Sequence, residues 1–286
     1  MKNFDVVVIG GGHAGVEAAA ASSRMGAKTV LITMKIETIG EMSCNPAIGG
    51  LGKGHLVREI DALDGIMARA IDVSGIQFRM LNRSRGPAVH GPRSQADRKL
   101  YKKAISNMLK SSKNLTILEG TVTDFTIDNN EIKDVVLKND VSIKAKSVVL
   151  TTGTFLGGVI HIGNERIPAG RIGDEPSNHL SKKIRELKLP FGRLKTGTPP
   201  RLIKSTINWN KVEMQYADND PIPFSYMTKK IIVQQIQCGI TRTNANTHKI
   251  ISDNMSLSPV YSGSIQGSGP RYCPSIEDKV TRFSEK

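Results

Sequence analysis

The sequence predicts an α/β fold built around a parallel sheet, and three observations carry that expectation. An apolar run at residues 6–9 enters the glycine pattern Gly10-Gly11-Gly12-His13-Ala14-Gly15. A small-residue helix over 16–25, closed by Gly26, and a second apolar run over 28–33 complete a strand–helix–strand unit. Much later a β-rich run at 147–150 ends in Thr151-Thr152-Gly153, which returns the chain to the same sheet. A strand ending in Thr-Gly is common beside the cofactor of two-dinucleotide proteins.

Each glycine of the first unit has a distinct reason. Gly10 permits the tight turn, Gly12 lets the backbone approach a pyrophosphate, and Gly15 lets helix and strand pack closely. The unpaired N–H groups that open the helix then favour phosphate. The unit is therefore expected to be Rossmann-like and to bind a dinucleotide. It departs from the usual form at one place. A carboxylate expected about 20 residues after the glycines, to hold ribose hydroxyls, is missing: the second strand ends Thr33-Met34-Lys35, with no acid before Glu37. Lys35 leaves open a phosphorylated ribose, as in NADP.

The remaining elements follow in order. A glycine-rich loop spans 39–54, a helix is expected over 55–70, and residues 82–98 are basic and turn-rich. Residues 99–109 read as an amphipathic helix. Short β-rich runs at 116–118, 122–127, 135–137 and 148–150 then suggest a small antiparallel insert at about 115–147. Asp128-Asn129-Asn130 supplies a hairpin turn between two of them. From 196 onward Pro199, Pro200, Pro221, Pro223 and polar runs indicate a second, irregular domain (196–286) beside a cofactor domain (1–195).

Composition narrows the function classes. A chain of 286 residues, 38% hydrophobic, suits a soluble globular protein. No apolar run approaches the roughly 18 residues needed to cross a bilayer. The first strand begins almost at once, leaving no room for a leader. Three cysteines with no CxxC pair argue for a reducing cytoplasm rather than a disulfide framework. A net charge of +14 with a pI near 9.7 points to a polyanionic partner, or to a solvated lysine surface. Arg79, Arg83, Arg85, Arg93 and Arg98 form a cluster suited to phosphates, or simply a solvated loop. His90 and His161 lack metal-ligand spacing and read as structural, as Cys238 reads as core.

Three longer segments carry a family resemblance. Gly40-Glu-Met-Ser-Cys44-Asn-Pro-Ala-Ile-Gly-Gly50, Arg193-Leu-Lys-Thr-Gly-Thr-Pro-Pro-Arg201 and Gly269-Pro270-Arg271-Tyr272-Cys273-Pro274-Ser275-Ile276-Glu277-Asp278-Lys279 are similar to the MnmG (GidA) family of tRNA uridine 5-carboxymethylaminomethyl modification flavoproteins. Gly86-Pro-Ala-Val, Gln95-Ala-Asp-Arg and Thr151-Thr-Gly-Thr-Phe-Leu match it as well. The resemblance implies an FAD domain of the glutathione-reductase type with an antiparallel insert and an incomplete second domain. It implies FAD on Gly10 to Gly15, Val122 and Ser177, and NADH on Gly269 through Lys279 continuing over Val280, Thr281, Arg282 and Phe283. Methylene-tetrahydrofolate is the implied one-carbon donor.

Cys44 and Cys273 fall on the family's two functional cysteines. A thiolate adding to C6 of uracil makes C5 nucleophilic, and Arg271 and Lys279 would lower the pKa of Cys273. The implied partners are tRNA and a GTPase of the MnmE family in a heterotetramer, with the flavoprotein itself a homodimer and no membrane. His90 stands where relatives often carry Arg or Trp. Family members are expected to continue past the position of Lys286 into a helical domain. Two alternatives remain open: a non-catalytic remnant that binds nucleotide or RNA, and a folate- and FAD-dependent tRNA uridine methyltransferase.

Overall fold

The computed structural model describes residues 3–42, 45–195, 197, 199–259, 261–263, 265 and 275–283. Strand β1 (Asn3–Ile9) leads into helix α1 (His13–Arg24) and strand β2 (Thr29–Thr33), which lies parallel to β1. Val7, Val8, Ile9, Val30, Leu31 and Ile32 are all buried. These strands are covered on both faces, which is why they read as continuous apolar runs rather than alternating ones. On α1 the buried face is Gly15, Val16, Ala19, Ala20 and Ser23; side chains this small bring the helix axis close to the sheet.

The glycine-rich loop folds into β3 (Ala47–Gly49) and runs directly into α2 (Lys53–Ala62), α3 (Met67–Asp72), β4 (Gly75–Leu81) and β5 (Gly91–Ala96). Strands β3, β5 and β4 form a separate antiparallel sheet in that order. The single helix expected over 55–70 is in fact two. Asp64 takes a left-handed φ of 62°, and the Glu17 carboxylate accepts the amides of Ile66 and Met67, at 3.0 and 2.7 Å. A side chain on α1 thus starts α3 just past the Asp64-Gly65 pair, a local turn signal that the single-helix expectation passed over.

Helix α4 (Arg98–Lys110) matches its amphipathic reading. Asp97 caps it by accepting the amides of Lys99 and Leu100, and Tyr101, Ile105 and Leu109 form the buried stripe at i, i+4, i+8. It delivers β6 (Leu115–Glu119), which pairs parallel with β2. Residues 115–119 therefore belong to the main sheet, and the antiparallel excursion begins only at β7 (Val122–Asp128), continuing through β8 (Glu131–Leu137) and β9 (Ser142–Leu150). Asn129 and Asn130 both adopt positive φ, 50° and 62°, as the expected two-residue hairpin turn demands.

The resulting sheet has the order β6-β2-β1-β9-β8-β7. The chain moves outward from β1 through β2 to β6, then returns on the other side of β1 with β9, which is parallel to it along 144–150. Only 142–144 of β9 pair with β8. Past Lys144 the far edge of β9 has no described strand beside it, and Leu150 is 41% exposed.

A hairpin, β10 (Val159–Ile162) with β11 (Glu165–Pro168), precedes α5 (Asn178–Glu186), which packs Leu180 and Ile184 into the core shared with β7 to β9. The proline-rich stretch after 196 contains β12 (Glu213–Gln215), β13 (Cys238–Ile240), α6 (Ala245–Asp253) and α7 (Ile276–Arg282). Among the described residues after 196, the buried apolar side chains are Phe224 and Ile231, and both join the core of the first unit. The carboxylate of Asp72 accepts the amides of Phe224 and Ser225 at 2.7 and 2.9 Å, and Ile236 N–H donates to the Ile76 carbonyl. Packing is thus continuous across the expected boundary at 195–196. Cys238, read as core, is only half-buried on a short strand, with burial pushing its thiol pKa up.

Candidate dinucleotide site

Four strand ends meet at the carboxyl edge of the parallel strands. Thr151 N–H and Oγ1 both donate to the Ile9 carbonyl, at 2.9 and 2.8 Å, and Oγ1 also reaches the Gly10 carbonyl at 3.1 Å. Gly10 N–H donates to Ile32, and Gly120 N–H to Thr33, each at 2.8 Å. The end of β9 therefore supports the glycine turn from below, and β2 and β6 close its flank. This is the switch point, where the chain leaves β1 in opposite directions, and open α/β sheets bind ligands there.

The three glycines of the turn behave differently. Gly10 takes φ +109°, and a Cβ on it would lie 2.5 Å from the Thr151 carbonyl oxygen. A Cβ on Gly15 would lie 1.8 Å from the Gly10 carbonyl oxygen. Both positions are closed by backbone. Gly12 is exposed and faces open space, with nothing within 4 Å of its Cβ position. It is the N-cap of α1, without a side-chain cap, so the first amides of α1 are left to an outside acceptor. A pyrophosphate fits this cradle in chemistry and in room.

His13, the first residue of α1, is held at the edge of the Tyr101 ring, 5.6 Å between centroids and 75° between planes. Burial, helped by the positive charge of Lys53, lowers the His13 pKa to about 4. The imidazole is neutral at pH 7, with Tyr101 Oη 3.4 Å from Nδ1. Tyr101 itself is fully buried, and burial pushes its phenol pKa up. Ala14 is exposed beside it, and Gly11 is buried against Thr33 and Ile39.

Val122 is buried at the start of β7, two residues after Gly120. Ser177 is buried at the start of α5, its N–H donating to the Phe155 carbonyl at 2.9 Å. Val122 and Leu180 share one core cluster, so β7 and α5 bring both expected contacts to the same side of the sheet. Lys35 does not stand free to meet a ribose phosphate: its Nζ lies 2.8 Å from Asp174 Oδ1.

The expected nicotinamide segment is described only from Ser275. Gly269, Pro270, Arg271, Tyr272, Cys273 and Pro274 lie outside the described residues, as does Cys44. Ser275 and Asp278 form a reciprocal capping box on α7. Tyr261 donates to Asp278 Oδ1 at 2.7 Å and Ser258 to Glu277 Oε1 at 3.1 Å. The two acids of this segment thus fasten α7 to Ser258 and Tyr261. Ile276 and Phe283 are exposed.

The arginine cluster divides. Arg83 pairs with Asp218 at 2.8 Å, and Arg79 donates to the Tyr216 carbonyl at 2.7 Å. The two side chains attach β4 and the turn after it to residues 216–218. Arg85, on an exposed loop, and Arg93, on β5 opposite Arg79, have no acidic partner among the described residues. His90 closes that loop through its contact with the Arg85 carbonyl at 3.0 Å. An open cleft of about 410 Å³ at the far end of α1 is a poorer candidate. Its Arg24 and Arg69 are both taken up by Asp64.

Strand, glycine turn, helix and converging strand ends define a protein of the Rossmann-like α/β class. The family model for glucose inhibited division protein A (GidA) matches residues 5–286, and the chain belongs to that family. It is 56% identical over 286 residues to the tRNA uridine 5-carboxymethylaminomethyl modification enzyme MnmG of Granulibacter bethesdensis, covering 99% of this chain and 46% of that protein. It is 55% identical over 285 residues to the MnmG enzyme of Thermodesulfovibrio yellowstonii, again 46% of the relative. The chain thus spans about half the length of the curated relatives it matches. A crystal structure of Aquifex aeolicus GidA superposes with a TM-score of 0.92 at 49% identity, over 100% of this chain and 49% of that one. No helix among the described residues is long and apolar enough to cross a membrane.

Proposed function

We propose that this chain binds FAD at the α1 glycine turn and takes part in adding the carboxymethylaminomethyl group to C5 of wobble uridine in tRNA. The observation that carries the reading is the open approach to Gly12, flanked by backbone-closed Gly10 and Gly15, in a chain that matches MnmG enzymes across its length. The amides of Gly12, His13 and Ala14 would hold the pyrophosphate, and Val122 and Ser177 would contact the adenosine side. FAD, when bound, supplies reversible two-electron transfer.

NADH as reductant, methylene-tetrahydrofolate as donor and an MnmE-type GTPase in a heterotetramer belong to the same proposal, as does a homodimer in the cytoplasm. Cys273 is the proposed nucleophile and Cys44 its companion. A thiolate at C6 of uracil pushes electron density to C5, which then attacks the one-carbon unit. Arg271 and Lys279, which flank Cys273 in the sequence, would favour the thiolate. Exposed Arg85 and half-buried Arg93, with the net charge of +14, suit a polyanionic substrate.

Replacement of Cys273 by Ser in the gene tests the assignment. The expected result is tRNA that lacks the C5 modification while FAD stays bound to the protein. A wild-type content of modified uridine would remove Cys273 from the chemistry.

A further inference from the structure

The carboxylate missing from the end of β2 is delivered there from elsewhere. Lys35, two residues past β2, reaches Asp174 Oδ1 at 2.8 Å across 139 residues of sequence, and Arg171 Nε donates to Asp174 Oδ2 at 2.8 Å. The Asp174 side chain is only 13% exposed, whereas Lys35 is 53% exposed. A short turn presets the acid: Asp174 N–H donates to the Arg171 carbonyl at 3.1 Å, and the Arg171 guanidinium lies over the Phe155 ring at 5.7 Å. On the other flank Glu119 ends β6 in register with Thr33, and its Oε2 accepts the Ile36 amide.

We propose that Asp174 is the ribose-reading carboxylate of this site, and that it selects a dinucleotide with a free adenosine 2′-hydroxyl over one carrying a 2′-phosphate. The inference rests on the reading that the α1 turn binds a dinucleotide. In Rossmann-type units a carboxylate at this strand end accepts the ribose hydroxyls, and a cation there accommodates a 2′-phosphate instead. Lys35 and Arg171 are two cations of the second kind. Asp174 sits between them with one oxygen on each, which lowers the local charge from +2 to +1 and satisfies both. Each carboxylate oxygen keeps a further lone pair for a ribose O–H. A 2′-phosphate would have to displace the acid from both cations and approach its negative charge.

Calorimetric titration of the purified chain with ADP-ribose and with ADP-ribose 2′-phosphate tests this. Wild type should prefer ADP-ribose. Asp174→Asn keeps the shape, removes the charge and releases Lys35 and Arg171. Its preference should move toward the 2′-phosphate by about tenfold or more, as expected for charge-assisted hydrogen bonds gained on one ligand and lost on the other. Lys35→Met, at an exposed position, leaves Asp174 in place and should widen the preference for ADP-ribose. Unchanged discrimination in both variants, with ADP-ribose still bound, overturns the inference alone. Failure of wild type to bind either nucleotide overturns the dinucleotide reading and this inference with it.

Discussion

Gly15 has no room for a methyl group, because its Cβ position lies 1.8 Å from the Gly10 carbonyl oxygen. Gly15→Ala must therefore push α1 off β1, at a cost of about 1–3 kcal/mol or more by analogy with overpacked cores. Urea unfolding of the variant reads this directly, and an unchanged midpoint would show that the helix is not seated as described. His13, two residues earlier, makes a pH-dependent demand. Its folded pKa of about 4 lies below the ordinary value of 6.5. Between those values the unfolded chain takes up a proton that the folded chain refuses. Stability is complete above pH 6.5 and declines as the pH falls toward 4, by roughly 3 kcal/mol at most. Chemical denaturation of wild type and His13→Gln at pH 7 and pH 4.5 should show the shallower decline in the variant; parallel declines would place the acid sensitivity elsewhere. The positive φ of Gly10 and the tight seat of Gly15 against the Gly10 carbonyl were legible in the sequence because both lie within the turn itself. The demands on His13 were not, since Tyr101 and Lys53 reach it from other helices.

At the scale of elements, Asp72 joins the proline-rich stretch to α3. It is buried, and burial raises its pKa against the lowering effect of the Phe224 and Ser225 amides that it accepts. Asp72→Ala leaves those two amides without an acceptor, which costs about 2–4 kcal/mol. It should also expose the chain near Lys229 and Lys230 to trypsin faster than in wild type. Equal digestion rates would mean that Phe224 and Ile231 hold the stretch without the carboxylate. Periodicity announced β1, α1, β2, α4 and the β7–β8 hairpin, because each owes its form to its own residues. It did not announce the break between α2 and α3, which depends on Glu17 from α1. It also assigned β6 to the insert, because a β-rich run carries no mark of the strand it will pair with. The boundary at 195–196 was drawn on a change of composition, yet backbone bonds to β4 and the Asp72 contacts carry the packing across it.

For the whole molecule, the net charge of +14 predicts tRNA binding governed by counterion release. Affinity should drop by about tenfold or more between 50 and 200 mM salt if only a few phosphates are contacted. Filter binding across that range measures the slope, and a flat response would deny phosphate contacts. Arg85→Ala should reduce the slope, whereas Arg83→Ala should chiefly loosen Asp218, because Arg83 is already paired. The sequence pointed to the arginines but not to their division, since Asp218 and Tyr216 lie more than 130 residues away. The ribose-side carboxylate escaped for the same reason. The central claim is that FAD sits before the amides of α1. Gly12 faces open space, so Gly12→Val should fold as wild type does while its side chain fills the place of the pyrophosphate. Titration of both proteins with FAD, followed by quenching of flavin fluorescence, is the direct measurement. The account predicts saturable binding to wild type and a loss of about a hundredfold or more in Gly12→Val, the worth of two charge-assisted hydrogen bonds. Equal affinities in two equally folded proteins would contradict it.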